Sequence, residues 1–208
     1  MRILMVDDHP LFADGLRLLL EEALDAELLH VQSVPEALTM LESDSSIDLL
    51  LADLFMPGDD GMDLLDAVRL RSLFVPVVVV SSSRSAGDVS RCLARGALGY
   101  VPKSSTSDEI VLALQAASKG ERYLAKELRA PLEELNARAD EVSRALTPRQ
   151  LDTLRLLAEG LSNKEIAATL GVTSHTVKAH LGVVFQTLGV DNRVQCVSAA
   201  RELGLVTR

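Results

Sequence analysis

Cysteine, aromatic residues and net positive charge are all scarce in this sequence of 208 residues. Its two cysteines, Cys92 and Cys196, lie far apart with no CxxC pair and no neighbouring histidine. That excludes a disulfide scaffold and a cysteine-ligated zinc site, and it suits a reducing cytosol. Aromatic residues make up 3% of the chain and tryptophan is absent, so few platforms exist on which single-stranded bases could stack. Lys and Arg number 21 against 30 Asp and Glu, and a formal charge of −9 taken whole argues against a phosphate-binding surface. Long apolar runs are missing too: the longest, residues 73–80, falls far short of the roughly 18 residues of a spanning helix. The first apolar segment is cut by Asp7 and Asp8, so neither a signal peptide nor a membrane partner is expected, and the chain is assigned to the cytoplasm.

The chain has ample material for cores, at 48% hydrophobic residues. Its length suits one full-sized domain plus a small one. The first half alternates short apolar runs, at residues 2–6, 27–31, 48–52, 76–80 and 98–101, with helically spaced stretches at 10–24, 35–43, 61–71, 86–94 and 107–118. Such alternation predicts an α/β fold with a parallel sheet covered on both faces, and it puts ligands at the C-terminal ends of the strands. From Gly120 to Leu146 charge becomes dense, while Leu128, Leu132, Leu135, Ala139, Val142 and Leu146 recur at steps of four and three. This predicts a linker helix starting near Pro131, which either packs on its own domains or forms a two-stranded seam between protomers. The remainder carries helix signals throughout. Capping boxes stand at Thr147-Pro148-Arg149-Gln150 and Ser162-Asn163-Lys164-Glu165, a turn at Gly171-Val172 leads to a Thr173 cap, and Asn192 opens a fourth helix.

Asp7 and Asp8 follow the first strand, Asp53 ends the third, Ser81 ends the fourth and Lys103 lies just beyond the fifth. In a parallel sheet these residues converge on one edge. Three carboxylates together need a compensating cation, and an all-oxygen set selects a hard ion such as Mg²⁺. An aspartate beside that ion can be a nucleophile toward phosphorus, with Lys103 and the Ser81 hydroxyl offsetting charge on the phosphoryl oxygens.

Val6-Asp7-Asp8-His9, residues 53–61 (DLFMPGDDG), residues 76–81 (PVVVVS) and Gly99-Tyr100-Val101-Pro102-Lys103 resemble the receiver domain of two-component response regulators over about residues 1–120. The resemblance implies a flavodoxin-like, doubly wound sheet of five parallel strands in the order 2-1-3-4-5. It implies that Asp53 is the phosphoacceptor, that Asp8, Asp53 and the backbone carbonyl of Phe55 bind Mg²⁺ directly, and that Asp7 helps through water. It further implies a switch in which Ser81 moves toward the phosphoryl group and Tyr100 changes its packing. His9 is read as a loop histidine. Two departures stand out: Phe55 is apolar where the family often has a polar or basic residue, which predicts slow loss of the phosphoryl group, and Ser104 replaces the proline that many single-domain receivers carry after the lysine.

Ile166, Ala167, Gly171 and Val177 have helix-turn-helix spacing. With residues 146–150 (LTPRQ), 159–167 (EGLSNKEIA), 176–181 (TVKAHL) and 188–190 (LGV), residues 146–208 are similar to the LuxR-type DNA-binding domain, a small all-α bundle of four helices. The whole chain thus resembles a NarL/FixJ-type response regulator, with residues 121–145 as linker. The recognition helix is expected over residues 173–188, with 174, 175, 178, 179 and 182 outward. Lys178 is the candidate for a major-groove base contact, with Ala179 and Gly182 on the same groove and His175 beside them. Lys164, Ser174 and Thr176 are candidate phosphate ligands, with Arg193 a weaker one. Val177 and Leu181 are read as core, and His180 as a packing or capping residue. Gly182 leaves the groove surface thin in charge, which predicts weak monomer binding and reliance on a dimer.

The resemblance implies a sensor histidine kinase and double-stranded promoter DNA as partners, a homodimer on phosphorylation, RNA polymerase as a further possible contact, and no enzymatic turnover. A haloacid dehalogenase-type phosphatase would need an acid where Phe55 stands; a regulator working without phosphorylation is the other alternative. Divided at the linker, the charge no longer argues against DNA: residues 144–208 hold 8 Lys/Arg and 5 Asp/Glu, against 13 and 25 in residues 1–143. An acidic receiver could therefore repel DNA or attract the output domain until phosphorylation.

Overall fold

The chain runs β1 (Arg2–Val6), α1 (Pro10–Leu24), β2 (Glu27–Val31), α2 (Val34–Ser43), β3 (Leu49–Ala52), β4 (Phe55–Met56), β5 (Asp59–Asp60), α3 (Gly61–Leu70), β6 (Val77–Ser81), α4 (Ala86–Ala94), β7 (Gly99–Pro102) and α5 (Ser107–Ser118). It continues through β8 (Tyr123–Leu124), α6 (Lys126–Ala145), α7 (Pro148–Ala158), α8 (Asn163–Leu170), α9 (Ser174–Leu188) and α10 (Arg193–Glu202). The computed structural model describes residues 1–206, so the last two residues of the expected DNA-binding domain lie outside the described ones. Two compact units divide between Arg129 and Ala130.

In the first unit every side chain of β3 and β6 is buried, which explains why these strands read as unbroken Leu and Val runs. Ile3, Met5, Leu49, Leu51, Val78 and Val80 pack with Leu16 and Leu20 of α1 and with Ile110 and Leu114 of α5. The alternate residues Leu4, Leu50 and Val79 are buried on the opposite face. The sheet is parallel in the order β2-β1-β3-β6-β7-β8. The first five members follow the expected 2-1-3-4-5 order. The sixth strand corrects the expectation of five: Tyr123–Leu124 is two residues long, too short to stand out as an apolar run, and pairs with Gly99 and Tyr100. A small antiparallel hairpin, β4 with β5, is likewise added beyond the third sheet strand.

The stretch read as a linker is shared between the two units. Strand β8 joins the sheet, and α6 begins at Lys126 and not near Pro131, which lies inside it. A proline there removes a backbone bond to the preceding turn. Buried Ala125 and Leu128, together with the Arg129 Nε bond to the Leu124 carbonyl at 3.2 Å, anchor the turn before it. The later positions of the four-three pattern, Leu135, Ala139, Val142 and Leu146, pack into the second unit's own core.

That core gathers Leu154 and Leu157 of α7, Ile166 of α8, Val177, Leu181, Val184 and Leu188 of α9, and Cys196 and Ala200 of α10. Both capping boxes form with their reciprocal bonds. Gly171 takes φ 67°, the left-handed conformation that the turn between α8 and α9 requires. Thr173 and Asn192 cap α9 and α10 through the amides of Thr176 and Gln195.

Candidate metal centre and nucleic-acid interface

The sheet's register sets the strand ends level. The Asp53 amide donates to the Val6 carbonyl at 2.9 Å, that of Asp7 to Val31 at 3.2 Å, and that of Lys103 to Ser81 at 2.8 Å. Four of the expected site residues are thereby gathered at one edge. Asp7 and Asp53 are buried, at 1% and 3% exposure. Lys103 Nζ lies 2.7 Å from Asp7 Oδ2 and 2.8 Å from Asp53 Oδ2. Burial alone would lower the Lys103 pKa, but its hydrogen bonds to Asp53 and Asp7, and their charges, hold the ammonium above the ordinary lysine value. Asp53 Oδ1 accepts from the amides of Leu54, at 2.7 Å, and Phe55, at 3.4 Å.

Ligand atoms of Asp7, Asp8, His9 and Asp53 all lie within 4.8 Å of one another. Two of their oxygens, Asp7 Oδ2 and Asp8 Oδ1, are buried and face Lys103 Nζ at 2.7 Å and the His9 ring at 2.9 Å. Three carboxylates gathered about one ammonium leave an excess of negative charge in an oxygen-rich set, which fits a hard divalent cation. Phe55 is 54% exposed. With Asp8, Met56, Pro57 and Asp60 it lines an open depression of about 430 Å³ beside the cluster.

Ser81 and Tyr100 are fully buried. The Tyr100 hydroxyl donates to the Ser83 carbonyl at 3.0 Å, and burial pushes its pKa up to about 12. Ser81 Oγ accepts from the Ser83 amide at 3.3 Å.

Sequence reasoning missed several contributors. His9, read as a loop residue, places Nδ1 3.0 Å from Asp7 Oδ1 and 2.9 Å from Asp8 Oδ1, within the cluster. Its position next to the acid pair was the available signal. His30 Nε2 lies 2.8 Å from the Asp7 carbonyl, a contact across two strands that nothing in the local sequence marks. Gly61 and the pair Ser83 and Asp88 also shape the site, for reasons that only packing supplies.

In the second unit, Ser174, His175, Lys178, Ala179 and Gly182 of α9 are exposed, as is Lys164 in the first turn of α8. Thr176 is half-buried, and its hydroxyl lies 2.9 Å from that of Thr173. Lys178 and Gly182 line a recess of about 470 Å³ with Asn163, Phe185 and Arg193. Arg193 Nη2 donates to the carbonyls of Leu157 and Leu161, at 3.0 and 2.7 Å, so this group holds α10 to α7 and only its other N–H groups remain for a phosphate. His180 packs with Nδ1 3.3 Å from Thr153 Oγ1, while Val177 and Leu181 are buried.

Comparison with known proteins matches two family models: the response regulator receiver domain over residues 3–115, and the bacterial regulatory proteins of the luxR family over residues 144–200. The nitrate/nitrite response regulator protein NarL of Escherichia coli K12 is 36% identical over 198 residues, covering 93% of this chain and 91% of that protein. The transcriptional regulatory protein LiaR of Bacillus subtilis is 34% identical and covers 99% of each. A structure of RcsB from Salmonella enterica serovar Typhimurium, bound to a promoter in the presence of the phosphomimetic BeF₃⁻, aligns with TM-score 0.65 at 25% identity over 98% of both chains.

Proposed function

Because the chain belongs to the two-component response regulators of the NarL/FixJ type, with a receiver domain and a LuxR-type DNA-binding domain, we propose that a sensor histidine kinase transfers a phosphoryl group to Asp53 and that the modified protein binds promoter DNA as a dimer in the cytoplasm. Lys103 carries the reading: a half-buried ammonium shared by Asp7 and Asp53 is placed to follow charge from the carboxylate to a phosphoryl group attached to it. Asp53 Oδ2 points at that ammonium, while its other oxygen is held by two backbone amides, so the carboxylate is oriented before phosphorus arrives. Asp8, Asp53, the backbone carbonyl of Phe55 and, through water, Asp7 would hold Mg²⁺. That ion supplies charge neutralisation at the phosphoryl oxygens. Ser81 donates its hydroxyl to one of those oxygens, and Tyr100 repacks in response.

On the output side, Lys178 reads a base edge in the major groove, with His175, Ala179 and Gly182 on the same face, and Lys164, Ser174 and Thr176 contact phosphates. Arg193 contributes less, since Nη2 is engaged within the domain. Among the described residues no helix is long and apolar enough to cross a membrane. Incubation with acetyl phosphate and Mg²⁺ is expected to add the mass of one phosphoryl group, and Asp53→Asn to abolish the gain. Bound promoter DNA, mapped with and without acetyl phosphate, should increase on phosphorylation. A gain that persists in Asp53→Asn, or DNA occupancy indifferent to acetyl phosphate, contradicts the reading.

A further inference from the structure

Ser83 engages every polar group it has. Its amide donates to Ser81 Oγ at 3.3 Å and its carbonyl accepts from the Tyr100 hydroxyl at 3.0 Å. Its own hydroxyl donates to Asp88 Oδ2 at 2.5 Å and accepts from the Ser85 amide at 3.1 Å. The partner carboxylate belongs to α4, is 8% exposed, and pairs through its other oxygen with Arg91. Ser85 in turn caps α4 through the Asp88 amide. The loop between β6 and α4 is thus tied at one end to the buried Ser81 hydroxyl and at the other to a carboxylate anchored in a helix.

These bonds bear on chemistry at Asp53. The Ser83 amide donates to Ser81 Oγ and occupies one of its lone pairs, and the Tyr100 hydroxyl is hydrogen-bonded to the same side chain, so the direction of the Ser81 O–H follows the positions of both the Ser83 amide and Tyr100, and Ser83 holds both through its own amide and carbonyl. Nothing in Ser81 itself sets this direction, because a serine hydroxyl rotates freely unless a neighbour restrains it. The restraint that runs through Ser83 ends at Asp88.

We infer that Asp88 is a positioning residue for phosphoryl acceptance, acting through Ser83 to aim the Ser81 hydroxyl at the phosphoryl oxygens. The inference rests on the proposed role of Asp53 and Ser81. It adds a residue on α4 that touches neither the phosphoryl group nor the metal ligands, and it makes α4 part of the apparatus that tunes the rate.

The test is the rate at which the full-length chain gains a phosphoryl group from acetyl phosphate with Mg²⁺, followed by mass spectrometry over a range of acetyl phosphate concentrations. Asp88→Ala and Ser83→Ala are each expected to lower the limiting rate about tenfold, the scale of one hydrogen bond to a charged transition state, and to leave the half-saturating concentration unchanged. Asp88→Asn and Ser83→Thr keep the hydrogen bond and should retain most of the rate. Adding Asp88→Ala to Ser81→Ala should slow the reaction no further, because the hydroxyl it positions is gone; a purely structural role would be additive. Should Asp88→Ala fail to fold, Ser83→Ala probes the same bond from its other side. Wild-type rates in the folded single variants, or additive loss in the Ser81→Ala background, overturn the inference while leaving the Asp53 reading intact. Failure of the wild-type chain to gain a phosphoryl group, or a gain that survives Asp53→Asn, removes the reading beneath it.

Discussion

A Cβ atom on Gly61 would stand 2.2 Å from the carbonyl oxygen of Asp53 and 2.6 Å from the Cα of Leu54. The first residue of α3 is therefore pressed against the backbone that carries the Asp53 carboxylate, and its amide bonds to the Leu54 carbonyl at 3.0 Å. Gly61→Ala is expected to destabilise the receiver by roughly 1–3 kcal/mol, as overpacking does, and to slow phosphoryl uptake. Urea unfolding and phosphorylation mass spectrometry measure both; wild-type stability would show that the loop yields freely.

Phe55 is apolar and half-exposed beside the cluster, where it offers no hydrogen bond to an attacking water. Phe55→Asn should speed loss of the phosphoryl group by about tenfold, the effect of one well-placed hydrogen bond. The decay of phosphorylated protein after removal of acetyl phosphate reads it, and an unchanged half-life refutes it.

Alkaline pH should weaken the receiver through three groups. Lys103 has its pKa raised above 10.5 in the fold, so its contribution is complete below that value and is lost as pH rises through the folded pKa. Burial raises Tyr100 from 10 to about 12 and Cys92 from 9 to about 12, so the unfolded chain loses these protons first and stability falls from about pH 9 upward. Each such acid contributes a slope of at most about 1.4 kcal/mol per pH unit. Melting temperatures between pH 7 and 11 should drop less steeply in Tyr100→Phe than in the parent.

A Cβ on Gly182 meets nothing within 4 Å. Gly182→Ala should stabilise the output domain by up to about 1 kcal/mol, the usual helix-interior penalty of glycine. Gly182→Lys should tighten promoter binding and steepen its salt dependence by about one charge. Conversely, Lys178→Ala should weaken binding by about 1–3 kcal/mol and relax base preference at one position. Binding titrations across a salt series separate these outcomes.

Much of the candidate site was legible because a parallel sheet converts strand order into proximity. Once five apolar runs are recognised, Asp7, Asp53, Ser81 and Lys103 must share an edge. His30 was not legible, since its bond to the Asp7 carbonyl depends on which strand neighbours β1. Neither was Asp88, which reads locally as a first-turn acid behind the Ser85 cap, although its carboxylate serves Ser83. Arg193 reads as a weaker phosphate ligand, yet its Nη2 is used on the carbonyls of Leu157 in α7 and Leu161 in the loop that follows. Strand β8 escaped because two paired residues leave no periodic trace, and the start of α6 was placed too late because Pro131 marks a conspicuous and misleading helix start although Leu128 already belongs to the apolar pattern.

The sequence by itself determined the succession of an acidic α/β part and a helical part whose residues 144–208 are basic, the helix caps, and the identity of the carboxylates and the lysine. These follow from periodicity, capping chemistry and composition, all of which act over a few residues. Tertiary structure alone decided that Gly61 must lack a side chain, that His9 lies between two carboxylates, and that Ser83 joins Ser81, Tyr100 and Asp88. The contacts of Gly61, His9 and Ser83 with Asp88 span only a few residues, yet no propensity or period encodes their geometry, and the Tyr100 bond to Ser83 joins two strands that meet only once the sheet has formed.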